Sequence, residues 1–114
     1  MNKVAYLRKD TKTLEIYYPM HKVWDAIRAT IISLGLDEEQ FNEETHHVRA
    51  KTKSGFMRLS SLILVDAAPA GGNKTKISVT AEKPVTTITG IMDFEQASQL
   101  IDVFLAELAR QLKT

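Results

Sequence analysis

Two amphipathic segments on either side of a stretch with a two-residue repeat constrain the fold more than any other feature. Apolar residues recur every three or four positions from Pro19 to Leu34 and from Asp93 to Leu112, which is the period of a helix with one buried face. Between these segments apolar and polar residues alternate, which is the period of a half-buried strand. The pattern predicts two helices that need a common sheet to cover their apolar stripes.

Both helices carry signals at their ends. Pro19 suits the first position of a helix, because its φ is already fixed and it has no N–H that would need a partner. Gly35 suits the left-handed residue that follows a helix. Asp93 and Gln96 have the spacing of a capping box, which predicts that the second helix begins at Asp93.

The remaining segments predict strands and connections. Strands are predicted over residues 13–18, 36–41, 47–53, 59–65 and 76–82. Proline and paired glycines predict a loop over residues 67–73, and residues 85–92 are predicted to be an edge strand or an ordered loop. Residues 1–12 are mostly polar and are predicted to be a loose leader, ahead of a single domain over residues 13–114.

This order of elements predicts the fold class. Short connections between successive strands favour antiparallel pairing, and both helix stripes need one large surface to cover them. We therefore expect an α+β fold in the order β-α-β-β-β-β-α. It consists of a single antiparallel sheet of four to six strands with two helices packed on one face.

Composition excludes several classes of function. Fifteen basic and fourteen acidic residues give a net charge near +1, so nucleic acid is an unlikely partner by this measure. Cysteine is absent, which excludes thiol catalysis and thiolate metal sites. No apolar run reaches the length of a transmembrane segment, and the residues after Met1 do not form a secretory signal. The chain as written is expected in the cytoplasm, or in the cell envelope if an upstream signal was removed.

Residues at the predicted packing positions of the chain resemble those of a known group of domains. Tyr18-Pro19, then Val23-Trp24-Asp25-Ala26-Ile27, then Leu34-Gly35 and Thr75-Lys76-Ile77-Ser78-Val79 resemble the repeated domains of a bacterial lipoprotein. This is the C-component lipoprotein of the outer-membrane β-barrel assembly machinery, to which some short uncharacterised lipoproteins are similar. The resemblance implies a non-catalytic assembly or interaction module and supplies no active-site residue. The chain departs from it by lacking a lipid-attachment cysteine and a signal, which puts the envelope location in doubt.

No set of residues has the pattern of a catalytic, cofactor or metal site. Adjacent His46 and His47 would point to opposite faces of a strand, and His21 is distant in sequence, so no metal site is predicted. A cluster of carboxylates is predicted to be a solvated hairpin, because no apolar flank would raise a pKa; its members are Asp37, Glu38, Glu39, Glu43 and Glu44. The protein is therefore expected not to be an enzyme and to need no cofactor.

Three surfaces remain as candidates for binding. The first hypothesis is a protein-interaction or assembly domain that recruits another protein or a second copy of itself through an open sheet face or an edge strand; its candidate residues are Leu62, Leu64 and Tyr17. The alternative is a small apolar-ligand-binding domain with a cavity between helices and sheet, lined by Trp24, Ile27, Ile31, Phe56, Phe104 and Leu108. A second alternative is anion or nucleic-acid binding by a basic strand face that contains Arg49, Lys51, Lys53, Arg58 and Lys76.

Trp24 lies at the margin of the first helix stripe. We expect it to cover the sheet edge from the rim, with its indole N–H bound to a carbonyl or to water. The other interpretation makes it the gate of the cavity between helix and sheet.

Overall fold

The computed structural model describes residues 7–52, 61–84 and 90–113, and the side chains of residues 10–52, 61–82 and 98–113. Within these ranges the elements are β1 (Leu7–Ile16), α1 (Met20–Ser33), β2 (Asp37–Asn42), β3 (His47–Lys51), β4 (Leu62–Pro69), β5 (Thr75–Pro84) and α2 (Gly90–Leu112). This is the predicted order, and the α+β class is confirmed. No helix in the described ranges is long and apolar enough to cross a membrane.

The five strands of the described chain form one antiparallel sheet in the order β1-β5-β4-β3-β2. The hairpin connections place β2 to β5 side by side, and β1 pairs with β5 along ten residues, from Leu7 opposite Pro84 to Ile16 opposite Thr75. Helix α1 carries the chain from one edge of the sheet to the other. Strands β1 and β2 are therefore the two edges of the described sheet.

Strand β1 begins earlier than predicted. It starts at Leu7, so Leu7 to Lys12 are part of the sheet and not of a loose leader, whose first six residues lie outside the described ranges. Pairing with β5 provides the backbone hydrogen bonds, and the hydroxyl of Thr11 bonds that of Thr80 at 3.0 Å across the pair. The first part of this strand was missed because its residues are mostly polar. An edge strand can be polar, since its outer face and its unpaired backbone edge remain in solvent.

Two other boundaries were also wrong. Strand β4 runs to Pro69, so Ala67 to Pro69 pair with β5 although they were predicted to be loop. Helix α2 begins at Gly90, so Asp93 lies inside the helix and is not its cap, and Gly90–Met92 are not strand. The rest of the segment predicted as edge strand or ordered loop, residues 85–89, lies outside the described ranges. Local signals missed the extension of β4 because pairing with a neighbouring strand can continue a strand beyond its propensity.

Both ends of helix α1 lie within one residue of their predicted positions. Pro19 is the N-cap, one position before the first helical residue, with ψ at 158°. The N–H of Lys22 and that of Val23 both donate to the Pro19 carbonyl, at 3.0 and 3.1 Å. Gly35 follows the C-cap residue Leu34 with φ at +69°, a left-handed conformation that a side chain would strain.

Both helices pack on the same face of the sheet around one core. The inward residues of β3, β4 and β5 alternate with outward ones and are almost fully buried; they are Val48, Ala50, Ile63, Val65, Ala67, Ile77, Val79 and Ala81. The helix stripes that cover them contribute Val23, Ile27 and Ile31 from α1 and Leu100, Ile101, Phe104 and Leu108 from α2. Each large apolar side chain in this layer stabilises the fold by roughly 1.5–3 kcal/mol relative to leaving it in water.

Candidate ligand-binding groove

An open, mostly apolar groove lies between the edge strand β1 and the C-terminal half of α2. We call it the β1–α2 groove, and its volume is about 260 Å³. Its lining comprises Leu14, Glu15, Ile16 and Tyr18 on the strand side and Leu105, Leu108, Ala109, Leu112 and Lys113 on the helix side. Seven of these nine side chains are apolar or aromatic, so the groove can bury a small apolar molecule.

The groove forms where the sheet ends. Leu14 and Ile16 lie on the inward face of β1, in register with Ile77 and Thr75 of β5. Helix α2 packs across β1 and β5, and Leu108 and Leu112 are buried beneath it at 1% and 5% exposure. No strand of the described chain continues the sheet beyond β1. The apolar side chains at this edge therefore stay half-buried and remain accessible to a ligand.

The link from β1 to α1 closes one end of the groove. Tyr18 is half-buried there, and its carbonyl accepts a hydrogen bond of 2.9 Å from the hydroxyl of buried Thr75. The Lys22 ammonium lies 5.5 Å from the centre of the Tyr18 ring. These contacts hold the aromatic ring at the rim, because the backbone that carries it is tied to the neighbouring strand.

The residues predicted to line a cavity lie together but not around this groove. Trp24, Ile27, Ile31, Phe104 and Leu108 all belong to the buried core, and of these only Leu108 also lines the groove. Phe56 lies outside the described ranges. From the sequence, the other apolar residues of the groove were recognised only as members of the apolar face of their own strand or helix.

Trp24 is a core residue rather than a rim residue. Its exposure is 8%, and its ring lies 4.6 Å from that of Phe41 and 4.9 Å, edge-on, from that of His46. The expected hydrogen bond of its indole N–H is not found: Nε1 is buried and has no partner among the described residues. Phe41 is covered on another side by the Arg28 guanidinium, 4.4 Å from the ring centre.

The candidate partner surface is divided. Leu62 and Leu64 are half-buried on the sheet face away from the helices, in register with Lys51 and Arg49. Tyr17 is 77% exposed, but it follows the end of β1, six residues beyond Thr11, which shares the row of Leu64. At about 3.3 Å per residue that is roughly 20 Å along the strand. The three residues therefore do not form one patch.

The candidate basic face is interrupted by carboxylates. Arg49 Nε lies 3.1 Å from a Glu39 carboxylate oxygen, Lys51 is in register with Asp37, and Lys76 is in register with Glu15. Lys53 and Arg58 lie outside the described ranges. The charges of the described part of this face alternate in sign, which does not suit a polyanion.

Both edge strands carry features that oppose pairing with another chain. Lys12 lies on the inward face of β1 and pairs with Asp102 of α2 at 3.3 Å. Strand β2 is short and acidic, and its register with β3 shifts between Glu38 and Gln40. Inward charges, acidic side chains and bulges are the means by which sheets avoid edge-to-edge association.

The titratable groups of the described ranges do not converge on a reactive centre. The five clustered carboxylates are all exposed, and no group of three or more metal-binding side chains is found in these ranges. His46 lies outside β3 in a turn with φ at +55°, and His47 Nδ1 lies 2.7 Å from Asp66 on the outer face. This His47–Asp66 pair lies on the outer face of the sheet, away from the β1–α2 groove.

The comparisons with known proteins establish a similarity of fold and nothing further. No family model and no curated protein matches the chain. Norcoclaurine synthase from Thalictrum flavum, solved in complex with dopamine and hydroxybenzaldehyde, matches with a TM-score of 0.66, 10% identity, and 92% and 86% coverage of this and of that chain. A protein from Nitrosospira multiformis matches with a TM-score of 0.63 and 13% identity, covering 91% and 95%.

A conserved protein from Geobacillus kaustophilus also matches, with a TM-score of 0.57, 12% identity, and 92% and 95% coverage. The resemblance to the lipoprotein domains is not tested by these comparisons and stays a prediction. At such low identity the likeness establishes that this chain has the fold of its neighbours, a long C-terminal helix laid over an antiparallel sheet.

Proposed function

We propose that this protein binds a small apolar or aromatic molecule in the β1–α2 groove. The observation that carries the proposal is the groove itself, whose apolar walls come from Leu14, Ile16, Leu105, Leu108 and Leu112. Leu14, Ile16 and Leu105 are half-buried, so binding would remove their remaining exposed surface from water, which stabilises a complex by about 25 cal/mol for each Å² of apolar area covered.

The fold supports the same proposal. Norcoclaurine synthase, whose fold this chain shares, was solved with two small aromatic molecules bound. A sheet covered by a long helix can leave space between its layers, and in this chain that space opens at the β1 edge. The support concerns the class of function, because the sequences are only 10% identical.

The volume of the groove limits the size of the ligand. A dry apolar cavity of about 150 Å³ holds benzene, and typical drug-sized pockets begin at about 300 Å³. The groove, at about 260 Å³, fits a molecule of one or two rings or a short alkyl chain.

We further propose that binding is not followed by catalysis. The polar side chains that line the groove are Glu15, Tyr18 and Lys113, and Glu15 is engaged by Lys74 at 3.6 Å. General acid–base catalysis needs groups positioned in hydrogen-bond reach of one reacting atom. The hypothesis of an interaction domain stays a prediction, and the features that oppose pairing at both sheet edges do not favour its edge-strand form.

A substitution that fills the groove tests the proposal. Ala109 is exposed and lines the groove, so A109F should place a ring where the ligand binds and weaken binding of the two-ring probe 2-naphthalenemethanol by roughly tenfold. Fluorescence titration of the folded protein measures this affinity.

Ala106 provides the matched control. It is also exposed on α2 and does not line the groove, so A106F should bind the probe like the original chain. Equal affinity of the A109F and A106F variants, with both folded by circular dichroism, would place the bound probe elsewhere and refute the proposal.

A further inference from the structure

One ammonium group, that of Lys113, lines the β1–α2 groove, and two others lie next to residues of its lining. Lys113 is exposed and forms part of the lining at the end of α2. The Lys22 ammonium lies 5.5 Å from the ring of Tyr18, which is a lining residue. The Lys74 ammonium lies 3.6 Å from the carboxylate of Glu15, another lining residue, and 5.8 Å from the ring of Tyr17. Lys113 therefore supplies the positive charge of the groove lining, with Lys22 beside Tyr18.

The carboxylates near the groove do not offset this charge completely. Glu15 is the one carboxylate among the lining residues of the described groove, and it is already paired with Lys74. Glu107 belongs to the same stretch of α2, but its oxygens accept hydrogen bonds from Arg110, Ser33 and Gln111. Among the described residues the Lys113 ammonium of the lining forms no ion pair, whereas Lys22 lies outside the lining, in a neighbouring depression that also contains Asp25.

We infer that the β1–α2 groove selects small apolar molecules that carry one anionic group, such as an aryl or short alkyl carboxylate. The inference rests on the proposed function and adds the chemical class of the ligand. The apolar part lies against Leu105, Leu108 and Leu112, and the carboxylate lies at the rim within reach of the Lys113 ammonium. Lysine suits this role because its charge sits on a long flexible stem that can follow the ligand.

The two parts of the ligand contribute differently. Burial of the ring system supplies most of the affinity, as in other apolar pockets. The ion pair at the exposed rim supplies selectivity, and its strength falls when salt screens the charges. An uncharged analogue should therefore still bind, but more weakly.

Three probes that share the naphthalene ring system and differ in charge test the inference: 2-naphthoate, 2-naphthalenemethanol and 2-naphthylmethylammonium. Titrations followed by NMR at low salt should give the tightest binding for 2-naphthoate, about two- to fivefold tighter than the alcohol, as expected for an exposed ion pair. The ammonium compound should bind most weakly, and 0.5 M salt should bring the three affinities together.

A substitution at the rim assigns the effect to its residue. K113M keeps the apolar stem and removes the charge, so it should bring the affinity for 2-naphthoate to that for the alcohol in the same variant. Lys51, exposed on the opposite face of the sheet, provides the control, and K51M should change nothing.

The outcomes separate this inference from the proposed function. Equal affinities for the three probes, or tightest binding of the ammonium compound, overturn the inference and leave the apolar groove in place. Absence of binding by all three overturns both. Sedimentation with phosphatidylserine vesicles, without saturable binding of 2-naphthoate, would assign the positive rim to a membrane surface and also overturn the inference.

Discussion

Glu107 joins the two helices through a single carboxylate. The hydroxyl of Ser33, at the end of α1, donates to Glu107 Oε2 at 2.7 Å, and the amide of Gln111 donates to the same oxygen at 2.8 Å. Arg110 donates to both oxygens, at 3.0 Å from Nε and 2.6 Å from Nη2. Hydrogen bonds from Arg110 first, then from Ser33 and Gln111, lower the pKa of Glu107 from 4.5 to about 2.

This lowered pKa predicts a dependence of stability on pH. The folded state favours the charged carboxylate, so its contribution is complete above pH 4.5 and is lost as the pH falls from 4.5 towards 2. We expect E107Q to be less stable than the original chain at pH 7 and the difference to shrink below pH 4.5. Urea unfolding at a series of pH values measures it.

Glu44 supplies the control for this prediction. It is exposed in the turn after β2, and E44Q removes the same charge away from the helix pair. A stability difference between the original chain and E107Q that stays constant from pH 7 to pH 2.5 would contradict the assigned hydrogen bonds.

At the scale of elements, β1 forms one wall of the groove and one edge of the described sheet. It covers β5 on one side and presents an edge on the other, and its inward row carries Lys12 in place of an apolar residue. Lys12 pairs with Asp102 of α2 where both side chains are more than half exposed. Such an exposed pair stabilises a fold by less than about 1 kcal/mol, so its main effect is to keep the edge charged.

The charge on this edge should prevent self-association. We predict that K12V changes the free energy of unfolding by less than about 1 kcal/mol but makes sedimentation depend on protein concentration. The outward-facing T13V on the same strand is the control, because it adds an apolar side chain to the other face. A K12V variant that stays monomeric at millimolar concentration would show that other features protect this edge.

At the scale of the whole molecule, the helices and strands were predicted better from the sequence than the contacts between them. The stripes of α1 and α2 and the alternation of β3, β4 and β5 follow from periodicity, and these residues form the core. The groove could not be derived in this way. Leu14 and Leu105 each belong to a stripe visible in the sequence, but only the pairing of β1 with β5 brings the two stripes together.

The same reasoning explains the outcome for two of the candidate surfaces, the partner surface and the basic face. Alternation placed Leu62 and Leu64 on the outer face, as the structure shows, but their separation from Tyr17 depends on the register between strands. The acidic partners of Arg49 and Lys76 lie on other strands, so the charge pattern of one strand alone overstated the basic face. Long-range register is the information that a local pattern lacks.

The central claim is that an apolar molecule binds between β1 and α2. Methyl-resolved NMR spectra recorded during a titration with 2-naphthalenemethanol test it most directly, because this neutral probe does not depend on the charged rim. The account predicts saturable shifts of the methyl groups of Leu14, Ile16, Leu105, Leu108 and Leu112, with those of Leu62 and Leu64 unmoved. Shifts confined to Leu62 and Leu64, or none at all up to the solubility of the probe, would contradict it.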